Sequence, residues 1–491
     1  METTYTIWQY LFTLPVHEIP WWAEVFRSIL RVVIGLAFGL GLVPIYVWLE
    51  RRMLGWVQGR LGPNRVGPEG LLQPIADVIK LFMKEDIIPT NVDRGLFLIA
   101  PIIALAPVIM SITVIPWNGS KSWGAVAPGL DIGILFLLGV ASIEVYGVIL
   151  AGWSSNNKYS LLGGLRASSQ VISYELGMGL AIIAVLLMCG TLGLQDVVRG
   201  YDLRQPHEFV AGTVLNNGQG LINVLPLSGT GYTFYMLDWS SGFWDWNVFR
   251  LFPFGLIACV VYMISMIAET NRAPFDLPEA ETELVAGFHT EYSGFRFGAF
   301  FMSEYANMAI VSTICVTLFF GGWLAPLGIL NQVPISWIQA LTQTPDSWVP
   351  WWANLINSLI SALWIILKLF TLISMFILVR ASYPRLRYDM LMRFGWKGLL
   401  PVALVNLVLI AISLAVQHSF RDSLGTAGAW WVGQIIAWAL MLAAMLVAFV
   451  SVRKSYASRQ RDIASGEIPA DSPIVRHPVA LALPALTSTE K

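Results

Sequence analysis

The sequence predicts an all-α fold, a polytopic bundle of membrane-spanning helices, and three observations carry that prediction. The 491 residues are 56% hydrophobic and only 12% charged, with a mean hydropathy of +0.65, far from the composition of soluble globular chains. Apolar runs approaching or exceeding the ~20 residues that span a bilayer core recur about nine times. Most charged residues fall between those runs, where they meet water or headgroups.

The nine crossings are expected at 32–49, 95–115, 132–153, 167–189, 251–268, 297–320, 355–379, 398–417 and 429–452. The start of the chain has neither a basic n-region nor a small-residue cleavage site, so the first crossing is expected to act as the membrane signal, with no cleaved leader. The alternate connections 50–94, 154–166, 269–296, 380–397 and 453–491 hold 22 of the 30 lysines and arginines. By the positive-inside rule these face the cytoplasm, placing the N-terminus outside and the C-terminus inside. The segments 190–250 and 321–354 become outer loops whose tryptophans suit a headgroup-level belt. The whole of 1–452 reads as one membrane domain, and 453–491 as a basic cytoplasmic tail suited to anionic lipid or solvent.

Several function classes are excluded at this stage. A net charge of -1 leaves no basic excess for neutralising nucleic-acid phosphates. Cys189, Cys259 and Cys315 are far apart, each inside an apolar run, and no C-x-x-C or Cys/His cluster exists, so no disulfide framework, zinc site or iron–sulfur site is expected. The five histidines are scattered and read as isolated polar residues. Electron transfer, if this chain serves it, must use cofactors held elsewhere.

The inner connections carry the chemistry. After the first crossing, LERRMLGWVQGRLGPNRVGPEG is rich in glycine and proline and must follow a tight irregular path. It lacks G-K-[ST], so it is no phosphate loop. Leu71, Ile75, Val78 and Phe82 then recur at helical spacing opposite Asp77, Lys80 and Lys84, which predicts an amphipathic helix, either lying in the inner interface or packed into the bundle. The stretch 268–295, AETNRAPFDLPEAETELVAGFHTEYSGF, sets six carboxylates against Arg272. Within it Asp276 suits a helix N-cap, with Glu279 in the reciprocal position and Pro278 in the first turn. Capping leaves Glu269 and the closely spaced Glu279, Glu281 and Glu283 unexplained. Glu279 and Glu283, at i and i+4, repel unless a proton is shared.

Glu144, Glu175, Glu304 and Lys368 lie inside crossings, where a charge costs about 2.5–3.5 kcal/mol on insertion scales, so each calls for a function or an ion-pair partner. At a rise of about 1.5 Å per residue, Glu144 and Glu175 share a level roughly 14 Å from the inner face, Glu304 lies roughly 9 Å down, Lys368 roughly 18 Å, and Glu50 sits at the inner mouth. No carboxylate lies in the outer half of a crossing, and Arg31 there reads as a snorkelling anchor. The acids stop halfway across, so a proton entering this way is expected to leave sideways into a neighbouring membrane protein.

Four stretches, ERRMLGWVQGRLGPNRVGPEGLLQPIADVIKLFMKED, GWSSNNKYSLLGGLRASSQVISYE, AETNRAPFDLPEAETELVAGFHTEYSG and VRASYPRLRYDMLM, together closely resemble the quinone-site membrane subunit of proton-pumping NADH:quinone oxidoreductase, respiratory complex I. The resemblance covers roughly 30–417 and implies a multi-pass subunit of the bacterial inner membrane. It implies docking to peripheral-arm subunits that carry flavin and iron–sulfur clusters, antiporter-like neighbours in the membrane arm, and quinone as substrate, with no cofactor on this chain. It assigns Glu50, Arg51, Asp77, Arg272, Asp276, Glu279, Glu281 and Glu283 to the quinone chamber. It assigns Glu269, Glu144, Glu175 and Glu304 to a buried proton path, to which the depth argument adds Lys368. The family pattern ends after eight crossings, so the ninth, and the longer outer loops, are departures. The corresponding subunit of an ion-pumping hydrogenase or dehydrogenase complex shares these motifs and is the nearest alternative. A stand-alone proton-coupled transporter would show an internal repeat, and none is visible.

Overall fold

The computed structural model describes residues 20–118, 124–127, 130–199, 246–249, 252–276, 286–326 and 351–464. Among these every regular element is helical: α1 Trp21–Val57, α2 Gln73–Met83, α3 Arg94–Ile112, α4 Gly133–Ser154, α5 Lys158–Cys189, α6 Leu194–Arg199, α7 Phe254–Glu269, α8 Gly294–Phe319, α9 Trp351–Ser382, α10 Tyr388–Phe394 and α11 Leu400–Ala464. Seven are long and apolar enough to cross a membrane. The remaining two expected crossings correspond to the shorter apolar helices Phe254–Glu269 and Val432–Ala443.

The helices begin and end where local chemistry allows. Asp93 caps α3 by accepting from the Gly95 N–H at 3.1 Å, and Asn157 caps α5 by accepting from the Tyr159 N–H at 3.0 Å, each satisfying donors the first turn leaves open. Neighbouring helices approach closely through small residues. A Cβ on Gly147 of α4 would lie 2.7 Å from the backbone nitrogen of Ala104 on α3, so only glycine permits that crossing.

Helix α8 is the axis of the bundle: 78% of its most apolar window is buried, against 22% for α1. It packs on α1, α3, α7 and α9, while α5 packs on α4, α7 and α11. Tyr46, Val108, Met178, Tyr262, Ile314 and Phe376 contribute to one continuous core between these helices. The bundle's outward side chains are apolar, among them Phe26, Leu135, Leu187 and Leu404, as acyl chains require.

The last two crossings form a hairpin. The Ser413 hydroxyl donates to the Gly433 carbonyl at 3.1 Å, yet twenty residues of straight helix would separate them by about 30 Å. Helical structure continues through the reversal. Trp438 on the returning arm meets Phe252, and Asn406 on the outgoing arm donates to the Phe254 carbonyl, so both arms pack at the start of α7.

Arg31 departs from the expectation of an anchor reaching for water. It is 4% exposed and hydrogen-bonds Glu24, two turns earlier on α1, and the Ser28 hydroxyl. A carboxylate on the same helix face provides locally what snorkelling would have sought at the interface.

Candidate functional site

The loop after α1 folds back onto it. Glu69 accepts from the Trp48 indole at 3.1 Å and from Arg52 at 2.8 Å through its carbonyl, and pairs with Arg52 at 2.8 Å through its carboxylate. Gly70, at φ +75°, passes so near Pro63 that a Cβ would lie 2.3 Å from its carbonyl oxygen. The loop delivers α2, whose Ile75, Val78 and Phe82 are all exposed. Of the two expectations for this amphipathic helix, a face left open for the interface fits and burial in the bundle does not. Asp77 turns back to pair with Arg51 at 2.6 Å, and Gln73 donates to its second oxygen at 3.3 Å.

Behind this pair lies a denser cluster. Glu50 is 6% exposed. It accepts from the Tyr305 hydroxyl at 2.6 Å and from Arg380, with Arg272 at 4.0 Å. The Arg272 guanidinium sits 4.1 Å from the centre of the Tyr305 ring, a cation–π contact strengthened by the dry surroundings. Asp276 pairs with Arg385 at 3.2 Å, and the adjacent Leu386 N–H donates to the Pro274 carbonyl at 3.1 Å. The chain between α9 and α10 is thereby stitched to the turn after α7. Glu279, Glu281 and Glu283, with Pro278 and the first turn expected to follow the Asp276 cap, lie outside the described residues.

The second group is deeper. Glu144 on α4 accepts from the Ser303 hydroxyl of α8 at 3.1 Å, and Glu175 on α5 accepts from Ser142 of α4. Glu269 ends α7 and is buried. Glu144 and Glu269 line one small cavity with Ser111 and Asn307, about 10 Å³ in volume, which is near the least that holds one water molecule. Glu304 faces His289 at 3.6 Å. That histidine is boxed by Phe288, Phe297 and Phe300 and is far from the isolated polar residue expected.

Helix α8 joins the two groups through three consecutive residues. Ser303 touches Glu144, Glu304 faces His289 and Tyr305 touches Glu50. Successive residues point about 100° apart on a helix, so one turn reaches three separate elements.

Lys368 is in neither group. Its ammonium donates to the carbonyls of Phe320, Gly322 and Leu324 at 2.6, 2.8 and 2.6 Å and lies 4.6 Å from the Trp246 ring centre. It sits past the C-terminal end of α8, about four turns beyond Glu304, paired with backbone rather than with a carboxylate. Sequence reasoning missed Tyr305, His289, Arg380 and Arg385. Only their nearness to recognised acids in sequence, as for Tyr305, offered a signal. No group of three or more His, Cys, Asp or Glu side chains is placed to hold a metal among the described residues.

A family model described as NADH dehydrogenase matches residues 30–411. The NADH-quinone oxidoreductase H subunit 2 of Koribacter versatilis is 40% identical over 406 residues, covering 79% of this chain and 97% of that protein. The H subunit of NADH-quinone oxidoreductase from Ralstonia nicotianae is 40% identical over 395 residues, covering 80% and 94%, and that of Paraburkholderia xenovorans 40% over 389, covering 79% and 92%. All of the clustered residues above fall inside the matched range, and the returning arm of α11 lies beyond it. With a family model matching most of its length and relatives about 40% identical over nearly the whole of theirs, the chain belongs to the NADH dehydrogenase family, among the H subunits of NADH-quinone oxidoreductase.

Proposed function

We propose that this chain is a membrane-arm subunit of a bacterial inner-membrane NADH-quinone oxidoreductase, forming much of the quinone chamber and coupling quinone reduction to proton translocation. Glu50, Arg51, Asp77, Arg272 and Asp276 form the described chamber wall, continued by Glu279, Glu281 and Glu283. The basic connections face the cytoplasm, where peripheral-arm subunits bring electrons through flavin and iron–sulfur clusters. Antiporter-like subunits take up the proton laterally. Glu269, Glu144, Glu175 and Glu304 are the buried proton path, and Lys368 closes the charged series at the far end of α8.

The observation that carries this reading is the junction on α8. Reducing a quinone to the quinol takes up two electrons and two protons, which alters the charge beside the chamber wall. Glu50 shares its carboxylate with Tyr305 and two arginines, so a change there redistributes those contacts. Ser303 and Glu304, the two residues before Tyr305, face the buried acids. The disturbance therefore has a route of covalent and hydrogen-bonded neighbours to Glu144.

The test is the double variant Glu144→Gln with Glu175→Gln in the assembled complex. Protons translocated per electron pair should fall about tenfold or more, as for loss of an essential acid–base group. Parental translocation at parental quinone turnover would remove these glutamates from the path.

A further inference from the structure

Gln170 has no part in the reading above. It lies on α5, five residues before Glu175, and is fully buried. Its amide nitrogen faces three oxygens: the Ala268 carbonyl at 2.8 Å, the Phe275 carbonyl at 2.8 Å and the Asn271 side-chain oxygen at 3.2 Å. Backbone carbonyls only accept, so the surroundings themselves dictate that the nitrogen points this way. The amide oxygen has no hydrogen-bond partner among the described residues. All of the side chain's described hydrogen bonding is spent on one turn.

That turn, 268–275, contains Glu269 and Arg272 and ends one residue before Asp276. It holds Asn271 at φ +49°, a left-handed conformation that a non-glycine residue keeps only when its surroundings over-determine it. Gln170 spans the turn from end to end. One hydrogen bond grips the residue before Glu269 and another the residue before Asp276. On the far side Asp276 is held by Arg385, and the Pro274 carbonyl by the Leu386 N–H. A shift at Arg272 or Asp276 must therefore either break the amide's contacts or carry Ala268 and Glu269 with it. Arg272 also lies against Glu50 and Tyr305, so the turn meets the chamber cluster at one edge and the buried acids at the other.

We propose that Gln170 is a positioning residue that clasps the 268–275 turn into one unit, so that displacement of Arg272 and Asp276 at the chamber is passed to Glu269. This rests on the function proposed above and adds to it the element that links its two groups.

The test compares Gln170→Met, of similar length but without donors, with the parental complex, both assembled in membranes. Per assembled complex, KM for a short-chain quinone should rise about fivefold or more, as for the loss of one or two buried hydrogen bonds. Protons per electron pair should fall in the same variant. A role in folding alone would lower the amount of complex and leave both quantities unchanged, and that outcome overturns the proposal. Gln170→Asn keeps the amide but draws it back by about 1.5 Å, one carbon–carbon bond. It should show the same paired change in smaller measure, and parental values in it overturn the proposal even if the Met variant fails to assemble. Parental pumping by the Glu144 and Glu175 double variant would instead defeat the underlying function. Loss of pumping there, with parental KM and proton ratio in Gln170→Met, would defeat the clasp alone.

Discussion

Two charged sites on α8, one near its middle and one just past its C-terminus, solve the same problem in opposite ways. At Tyr305 a buried carboxylate, Glu50, is shared among a phenol and two arginines. Past the C-terminus a lysine spends its three ammonium protons on three backbone carbonyls. Side chains can trade partners when a charge nearby changes, because each has rotamers to spare. Backbone carbonyls beyond a helix end cannot move without unwinding it. The shared carboxylate is an arrangement that can be reset, and the saturated lysine is one that holds a shape. The comparison predicts that variants at the first site change function together with stability, and that variants at the second change stability alone.

The largest effect is expected at Glu50. Glu50→Gln keeps an acceptor for Tyr305 but removes the negative charge that Arg272 and Arg380 share. Breaking a buried pair in this way costs about 3–5 kcal/mol, and the lower figure applies because Arg380 is 37% exposed. Thermal inactivation of the assembled complex should begin several degrees lower, and quinone KM should change as well. A variant less stable but with parental quinone kinetics would make the two sites on α8 alike.

Lys368→Met comes next. It preserves length and apolar stem but strands three carbonyls and loses the contact with Trp246. Unsatisfied carbonyls of this kind cost about 1–3 kcal/mol each, relieved in part by relaxation and water, so a net loss of about 2–3 kcal/mol is expected. Protons per electron pair in the complex that survives should stay parental. A fall in that ratio would return Lys368 to the proton path and erase the distinction.

The same contrast explains what the sequence could disclose. Crossings are legible because lipid imposes a length and a composition on each helix separately. The buried acids are legible because a glutamate within an apolar run is costly and stands out. Partners are not, since nothing local to Glu50 points to Arg380, 330 residues away, and nothing about Gln170 distinguishes it from any polar residue on a helix. His289 looked ordinary for the same reason: its aromatic box and Glu304 are assembled only when α8 packs beside the short helix Gly287–His289. The partners of Lys368 were hidden in another manner. A lone intramembrane cation suggests a carboxylate partner, yet helix C-termini offer carbonyls that serve as well, and the sequence does not mark which will be near. The hairpin within α11 was legible as two crossings, because each arm has its own apolar run.

Tyr305→Phe isolates the shared carboxylate site from its charges. It removes one hydrogen bond to a carboxylate, worth about 1.5–3 kcal/mol, while the ring that supports Arg272 remains. Stability should fall less than in Glu50→Gln, yet quinone KM should still move, because Glu50 loses the partner that fixes its second oxygen. The smallest effect belongs to an ion pair of ordinary kind. Arg393 and Asp389 meet at 2.9 Å, one turn apart on α10, with side chains 69% and 60% exposed. Asp389→Ala should cost no more than about 0.5 kcal/mol, because water screens an exposed i,i+4 pair, and it should leave quinone KM and proton ratio unchanged. If that exposed pair shifted quinone KM as far as Tyr305→Phe does, sharing a buried carboxylate would no longer be what makes the Glu50 site responsive.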